Sequence, residues 1–443
     1  MLNVGILAAP EIFFLLEDHF RCDSFWLAPG NYSVVKEEEA ILLFRGEEFL
    51  LKGSELTLLP EKNESFFQLR QVTIGISFHW EQQEDQRFTG GLKFIFEAGM
   101  VRAVNLVLLE TYLRSVISSE MSATASPALL EAHAVISRSW LLAQMEKRRT
   151  LQKNPSPYCS SVETPGEIVR WYDREDHSGF DVCADDHCQR YHGVTKIISE
   201  KAAGAVDATF GEALMVGDEI CDARFSKCCG GISEAFEYAW EPAPKAYLSA
   251  IADSEPVGSR PPVDLRREAA AEAWIRSTPP AFCHTADRQI LAQVLPGFDQ
   301  QTTDFFRWKV TYTRAELAGL ICRRSGIDFG EILRLEPVER GFSGRLVKLK
   351  IVGTKRTLTV GKELEIRRWL SPSHLYSSAF VVDYGREEGG VPEKIVLTGA
   401  GWGHGVGLCQ IGAAVMGEKG FSYREILFHY FKGARLEKLY QKS

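Results

Sequence analysis

The sequence predicts an α+β fold in which antiparallel β-rich regions surround a helical core. Three observations predict it. Residues 1 to about 100 alternate apolar and polar positions in short runs such as "VGILAAPEIFFLL", "YSVVKEEEAILLF" and "GLKFIFEAG", the period of half-buried strands. From about Leu106 the apolar residues recur at helical spacing. Strands then return at "GRLVKLKIVGTKRTLTVG" and "SSAFVVDYG", before a glycine-rich segment and helix-like residues close the chain.

Taken in order, the elements have local causes. Ser126-Pro127 starts a helix, with Ser as N-cap and Pro at the first helical position. That helix runs through "PALLEAHAVISRSWLLAQMEKRR", and its basic last turn suits the macrodipole. "KNPSPYCSSVETPG" reads as a loop, and residues 194–252 as short strands and turns. "DSEPVGSRPPVD" reads as a linker, and Thr313 as the cap of "TRAELAGLICRRSG". In the last helix Ser422 is the N-cap, Glu425 completes a capping box, Phe421 can staple on Ile426, and Gly433 ends it. The expected organisation is a β-rich region (1–100), a core (101–254), a mixed insertion or arm (255–336) and a closing region (337–443) that completes the core.

Composition narrows the function. The chain has 443 residues, 51 basic and 59 acidic, a net charge of −8, so nucleic acid is a poor partner. Acidic balance is compatible with a neutral, sugar-like substrate. No apolar stretch approaches the ~20 residues of a membrane span. The apolar N-terminus lacks a basic leader and carries Pro10 and Glu11, so it reads as strands rather than a signal peptide. Five of the ten cysteines fall between Cys183 and Cys229, and their clustering with histidines points to metal more than to disulfide staples.

Four segments carry candidate chemistry. "GAGWGHGVGLCQIGA" (399–413) places glycines around His404. Its spacing matches no nucleotide-binding loop and it has no Lys or Arg. Glycines there permit positive φ and close backbone approach. His404 is then either a site residue or a packing histidine. In "LETYLRSVISSEMS", Glu120 ends a helix-like stretch, where partial burial would keep a carboxyl protonated as a general acid. Otherwise it is a solvated helix end. Arg138 lies on an apolar helix surface and needs an acid or a substrate as partner. "DHSGFDVCADDHCQRYHG" offers His177, Cys183, His187 and Cys188, with His192 in reserve. These are soft sulfur and borderline nitrogen donors suited to tetrahedral zinc, or else a disulfide or separate thiols. "ARFSKCCGG" forms a turn with Ser226, and its vicinal Cys228-Cys229 pair has no assignable role.

In this order the motifs resemble the stage II sporulation protein D family, which includes peptidoglycan lytic transglycosylases and amidase enhancers. The residues that carry the resemblance are "SSEMS", "EAHAVISRSW", "CQRYHG", "SKCCGG", "SSAF" and "GAGWGHGVGLCQIGA", across about residues 100–435. It implies that Glu120 is the catalytic glutamate. One carboxyl group suffices where the muramic 6-hydroxyl itself attacks the anomeric carbon, leaving a 1,6-anhydromuramyl end. It also implies a structural zinc on His177, Cys183, His187 and Cys188, and glycan contacts by Arg138, Ser226, His404 and Gln410. The implied partners are glycan strands of the cell envelope and a cell-wall amidase. Three residues depart from the family pattern: Ser122 stands for Pro, Glu131 for Lys and His133 for Gln. The charge reversal at Glu131 leaves open a non-catalytic wall-binding enhancer. A zinc hydrolase with an open metal position is a third reading.

Overall fold

The computed structural model of the chain describes residues 1–75, 81–122, 124–153, 159–172, 177–185, 187–195, 199–294 and 303–441. It has the α+β class that the sequence predicts, with mostly antiparallel sheets. The chain divides into two compact units, each built from two stretches: Met1–Ala123 with Asp176–Phe210, and Thr124–Glu175 with Gly211–Ser443.

In the first unit the predicted alternation becomes two sheets. One has seven strands, from Val182–Cys183 and Leu2–Ala9 at one side to Phe25–Leu27 at the other. The second has six, with Glu11–Leu16 and Gly30–Glu37 at its centre. Val4, Phe14, Val34, Leu43, Leu58, Phe67, Phe94 and Val101 are buried from alternating positions, and the Phe14 and Phe94 rings meet 5.2 Å apart across the sheets. Strand Phe66–Ile74 realises the start of "VTIGISFHW"; residues 76–80 lie outside the described set. Helix α1, Leu109–Glu120, follows strand Met100–Val107 after one residue and buries Tyr112, Leu113, Val116 and Ile117. Strand pairing therefore persists slightly past Leu106, where helical spacing begins.

In the second unit α2 spans Pro127–Lys153, and the Ser126 hydroxyl accepts the Leu129 amide as an N-cap. Thr313 and Ser422 both form capping boxes, with Glu316 and Glu425. The end of the segment expected as a loop is instead the first strand of a hairpin, Ser161–Thr164, which pairs with Glu167–Arg170 just beyond it. Its second strand extends a five-stranded sheet by pairing with Thr357–Gly361, a long-range pairing with no local signature. Residues 255–336, expected as an insertion or arm, contribute Leu265, Ile275, Phe282, Trp308 and Leu317 to the buried interior.

The glycine segment has a geometric cause. Gly401, Gly403, Gly405 and Gly407 all have positive φ, between 73° and 90°. A Cβ on Gly405 would lie 2.5 Å from the Arg345 guanidinium, and one on Gly407 2.0 Å from the Arg224 carbonyl. Arg345 cannot retreat. It is 1% exposed and donates to the carbonyls of Gly403 (3.0 Å), Cys229 (3.1 Å) and Cys228 (3.4 Å). Gly405→Ala should therefore cost about 2–5 kcal/mol from strain and overpacking. Gly420→Ala, at φ 87° with no atom within 4 Å of the added carbon, should cost about 1 kcal/mol. Chemical denaturation of the two variants checks the difference, and equal losses would refute the packing argument.

Candidate functional site

Two clusters of side chains stand out, one in each unit. In the first unit, strand Val182–Cys183 pairs in parallel with the first strand through Val4 and Gly5. Gly5 is required there because a Cβ would lie 2.6 Å from the Phe180 ring. This pairing fixes the Cys/His segment. His177 Nε2 lies 3.4 Å from Cys188 Sγ, and His187 Nδ1 lies 3.4 Å from Cys188 Sγ and 3.7 Å from Cys183 Sγ. All four donor atoms fall within 4.8 Å of one another.

Bonds of about 2.0–2.3 Å to one tetrahedral ion separate neighbouring donors by roughly 3.3–3.8 Å, so the set can hold a metal. The Cys183 amide donates to Cys188 Sγ at 3.4 Å, and the His177 ring stacks on Phe180 at 4.4 Å. The Cys183 thiol is held well below its ordinary range. Its hydrogen bond with Cys188 is the largest cause, opposed by burial and aided by His177 and His187. Thiolate character is what a metal ligand needs.

The same segment continues to Glu120. The Arg190 amide, two residues after Cys188, donates to Glu120 Oε1 at 3.3 Å. Glu120 is half-buried at the last position of α1. Beneath it Tyr112 stacks on Tyr191 at 5.0 Å. Tyr112 donates to Gln189 Oε1 at 3.4 Å, and Tyr191 donates to Asn105 Oδ1 at 2.6 Å. Burial pushes the Tyr112 phenol well up, and charged neighbours, Glu120 among them, push the same way. It stays a neutral hydrogen-bond donor. Sequence reading singled out neither the Arg190 amide nor this tyrosine stack, although Tyr191 sits inside "CQRYHG".

The remaining expected site residues lie in the second unit and are largely enclosed. Arg138 is fully buried and donates to the Glu212 carbonyl at 3.1 Å. Gln410 is 1% exposed, with its amide nitrogen 3.0 Å from His133 Nε2. His133 Nδ1 is in turn 3.2 Å from Ser137 Oγ. The His133 departure from the family pattern is thus absorbed into a buried polar chain. The Ser226 hydroxyl is buried and has no hydrogen-bond partner among the described residues. Glu131 is half-buried; burial raises its carboxyl, and the nearby Glu212 adds to the rise.

His404 is held at one ring nitrogen by a hydrogen bond within its own turn. Nδ1 accepts the Val406 amide at 3.1 Å. Its ring meets Trp240 edge-on at 4.7 Å. Burial first, then Arg224, Arg367 and Arg345, hold it neutral, well below its ordinary 6.5. The glycine turn it belongs to runs on into Leu408–Cys409, which pairs with strand Phe225–Ser226.

The second cluster joins Cys229, Asp253, Cys283 and Cys409, all buried, with donor atoms within 4.8 Å of one another. Of these, only Cys229 was singled out from sequence as a residue in search of a role.

Comparison with known proteins divides the chain differently. Residues 97–216 match the stage II sporulation protein family, a stretch that contains Glu120 and all four residues of the first cluster. Residues 234–407 match a domain of unknown function, DUF8618. An uncharacterized protein of Brachyspira hyodysenteriae is 24% identical over 346 residues, covering 78% of this chain and 71% of its own length. No helix among the described residues is long and apolar enough to cross a membrane.

The His404 shift has a testable sign. Its folded value lies below 6.5, so below that pH the unfolded chain binds more protons. The stability from the neutral ring is present above about pH 6.5 and is lost as pH falls, by up to about 1.4 kcal/mol per pH unit. His404→Gln should flatten the stability profile between about pH 6.5 and 5 relative to wild type. Parallel profiles would contradict the assignment.

Proposed function

We propose that this protein is a peptidoglycan lytic transglycosylase with Glu120 as its general acid and base. The observation that carries the reading is the Arg190 amide on Glu120 Oε1, because it comes from the segment that holds Cys188 and lies within the stage II sporulation protein match. The geometry suits a positioned carboxyl: one oxygen is held by backbone, and the residue keeps part of its surface open. Glu120 first protonates the leaving glycosidic oxygen. As a carboxylate it then takes the proton of the muramic 6-hydroxyl, which closes on the anomeric carbon. The attacking group is tethered to the substrate, so proximity replaces an enzyme nucleophile.

His177, Cys183, His187 and Cys188 would hold zinc. Four protein ligands leave no position for water, so the ion supplies a structural cross-link rather than a reactant. Its place in the mechanism is indirect: fixing Cys188 fixes the Arg190 amide and, through it, the Glu120 carboxyl. Arg138 and Gln410 then act as internal supports of the second unit rather than as glycan contacts, since burial and hydrogen bonding already occupy them, and the half-buried His404 supports the glycine turn through the Val406 amide on its Nδ1.

Glu131 favours a second reading. A carboxyl stands where the family has a cation, and it lies near Glu212. The protein would then bind glycan without cutting it and enhance a partner amidase.

Glu120→Gln should retain the fold and glycan binding while lowering strand cleavage by about 10²–10⁴-fold. A variant as active as wild type sinks the assignment. Chelation should lower the unfolding midpoint and activity together. Loss of activity with unchanged stability would instead indicate an open catalytic metal.

A further inference from the structure

We infer that the second unit contains a buried binding site for a single thiophilic divalent cation, zinc being the best fit, on Cys229, Cys283, Cys409 and Asp253. The four donor atoms lie within 4.8 Å of one another, and Cys229 Sγ is 3.6 Å from Cys283 Sγ. That separation matches the edge of a tetrahedron with metal–sulfur bonds of about 2.3 Å, roughly 3.8 Å. With all four donor atoms within 4.8 Å of one another, there is no room for the bridging sulfides of a polynuclear iron cluster. Three sulfurs and one carboxylate form a borderline-soft donor set that selects zinc over magnesium or calcium.

The surroundings are those of a metal centre. The Cys229 amide donates to Cys409 Sγ at 3.2 Å, the same backbone-to-sulfur contact that Cys183 makes in the first cluster. Asp253 is fully buried and oriented from both sides. Its Oδ2 accepts the Cys283 amide at 2.9 Å, and its Oδ1 accepts the Tyr430 hydroxyl at 2.7 Å. His429 Nε2 stands 3.7 Å from the same Oδ1, a polar outer layer of the kind that tunes metal ligands. Arg307, close enough to act electrostatically on Cys228, Cys229 and Cys283, offsets part of the ligand charge. Cys228, fully buried and next to Cys229 in the chain, is the reserve ligand.

The ion would join four segments far apart in sequence. These are the "CCGG" turn, Asp253, Cys283 and the residue that follows the glycine turn. The site would lock the glycine turn against the turn it faces, where Cys228 and Trp402 already bridge. Asp253 and Cys283 fall within the 234–407 match, with Cys229 and Cys409 just outside it.

The test is metal analysis of the full-length chain purified under reducing, anaerobic conditions and loaded with Zn²⁺ or Co²⁺. Wild type should bind about two ions per chain, and Cys183→Ser/Cys188→Ser should keep one. The cobalt form of that variant should show thiolate-to-metal charge transfer in the near ultraviolet and tetrahedral d–d bands in the red. Cys283→Ser or Asp253→Ala added to it should abolish both. A wild-type count of none overturns the inference, and so does a wild-type count of one that Cys283→Ser leaves at one. So does a Cys229–Cys283 disulfide mapped in the unreduced protein with no ion bound. Cleavage activity is not read in any arm, so these outcomes are independent of the role of Glu120.

Discussion

A fully buried guanidinium organises the second unit. Arg345 has little water to solvate it, so its charge must be met by protein acceptors. The acceptors are mostly backbone carbonyls, those of Cys228, Cys229 and Gly403. The Ser343 hydroxyl also accepts from Arg345 and donates to Glu234. Glu234 is itself buried and takes the amides of Ala235, Phe342 and Ser343. Burial raises its carboxyl against these hydrogen bonds and against the Arg345 charge. Gly401 and Gly405 in the facing turn follow as a consequence, because a Cβ at either would lie 2.9 or 2.5 Å from the guanidinium. The turn then delivers Cys409 to the cysteine cluster and Gln410 to His133.

The first unit solves a similar problem with a different tool. A carboxyl at a helix end is mobile unless something outside the helix holds it. Here the Arg190 amide does so. The amide's place is set by a short segment clamped at Cys183 and Cys188 and braced by the Tyr112–Tyr191 stack. Both units thus use backbone groups as positioning donors and acceptors, with Cys/His or Cys/Asp clusters beside them. Glu120, the clamp and the tyrosine stack all fall within the stage II sporulation protein match, whereas Arg345 falls within the 234–407 match.

What was legible in the sequence depended on how local its cause was. The caps at Thr313 and Ser422 need only a few neighbouring residues, and both were readable, the second as a full capping box. The first Cys/His cluster spans residues 177–188, and its ligand spacing survives in one segment. The second cluster is assembled from residues up to 180 apart, so no spacing rule could reveal it. Asp253 illustrates the difficulty. It opens a polar, proline-rich stretch that reads as a solvent-exposed linker, yet it is fully buried. Its burial depends on Tyr430, 177 residues away. The hairpin of Ser161–Thr164 and Glu167–Arg170 was hidden for the same reason, since its second strand joins the sheet through Thr357–Gly361. The glycine pattern announced close approach correctly, but Arg345, the residue that approaches, sits inside an ordinary-looking strand sequence.

The central claim concerns bond chemistry, and the product decides it. Purified wild-type chain, incubated with glycan strands both intact and stripped of stem peptides, should release fragments one water lighter than hydrolysis products, with 1,6-anhydromuramyl ends identified by mass spectrometry. Fragments with free reducing ends would mean that water, not the muramic 6-hydroxyl, attacks. No cleavage of either substrate, with glycan still bound, would contradict the enzyme and leave the enhancer.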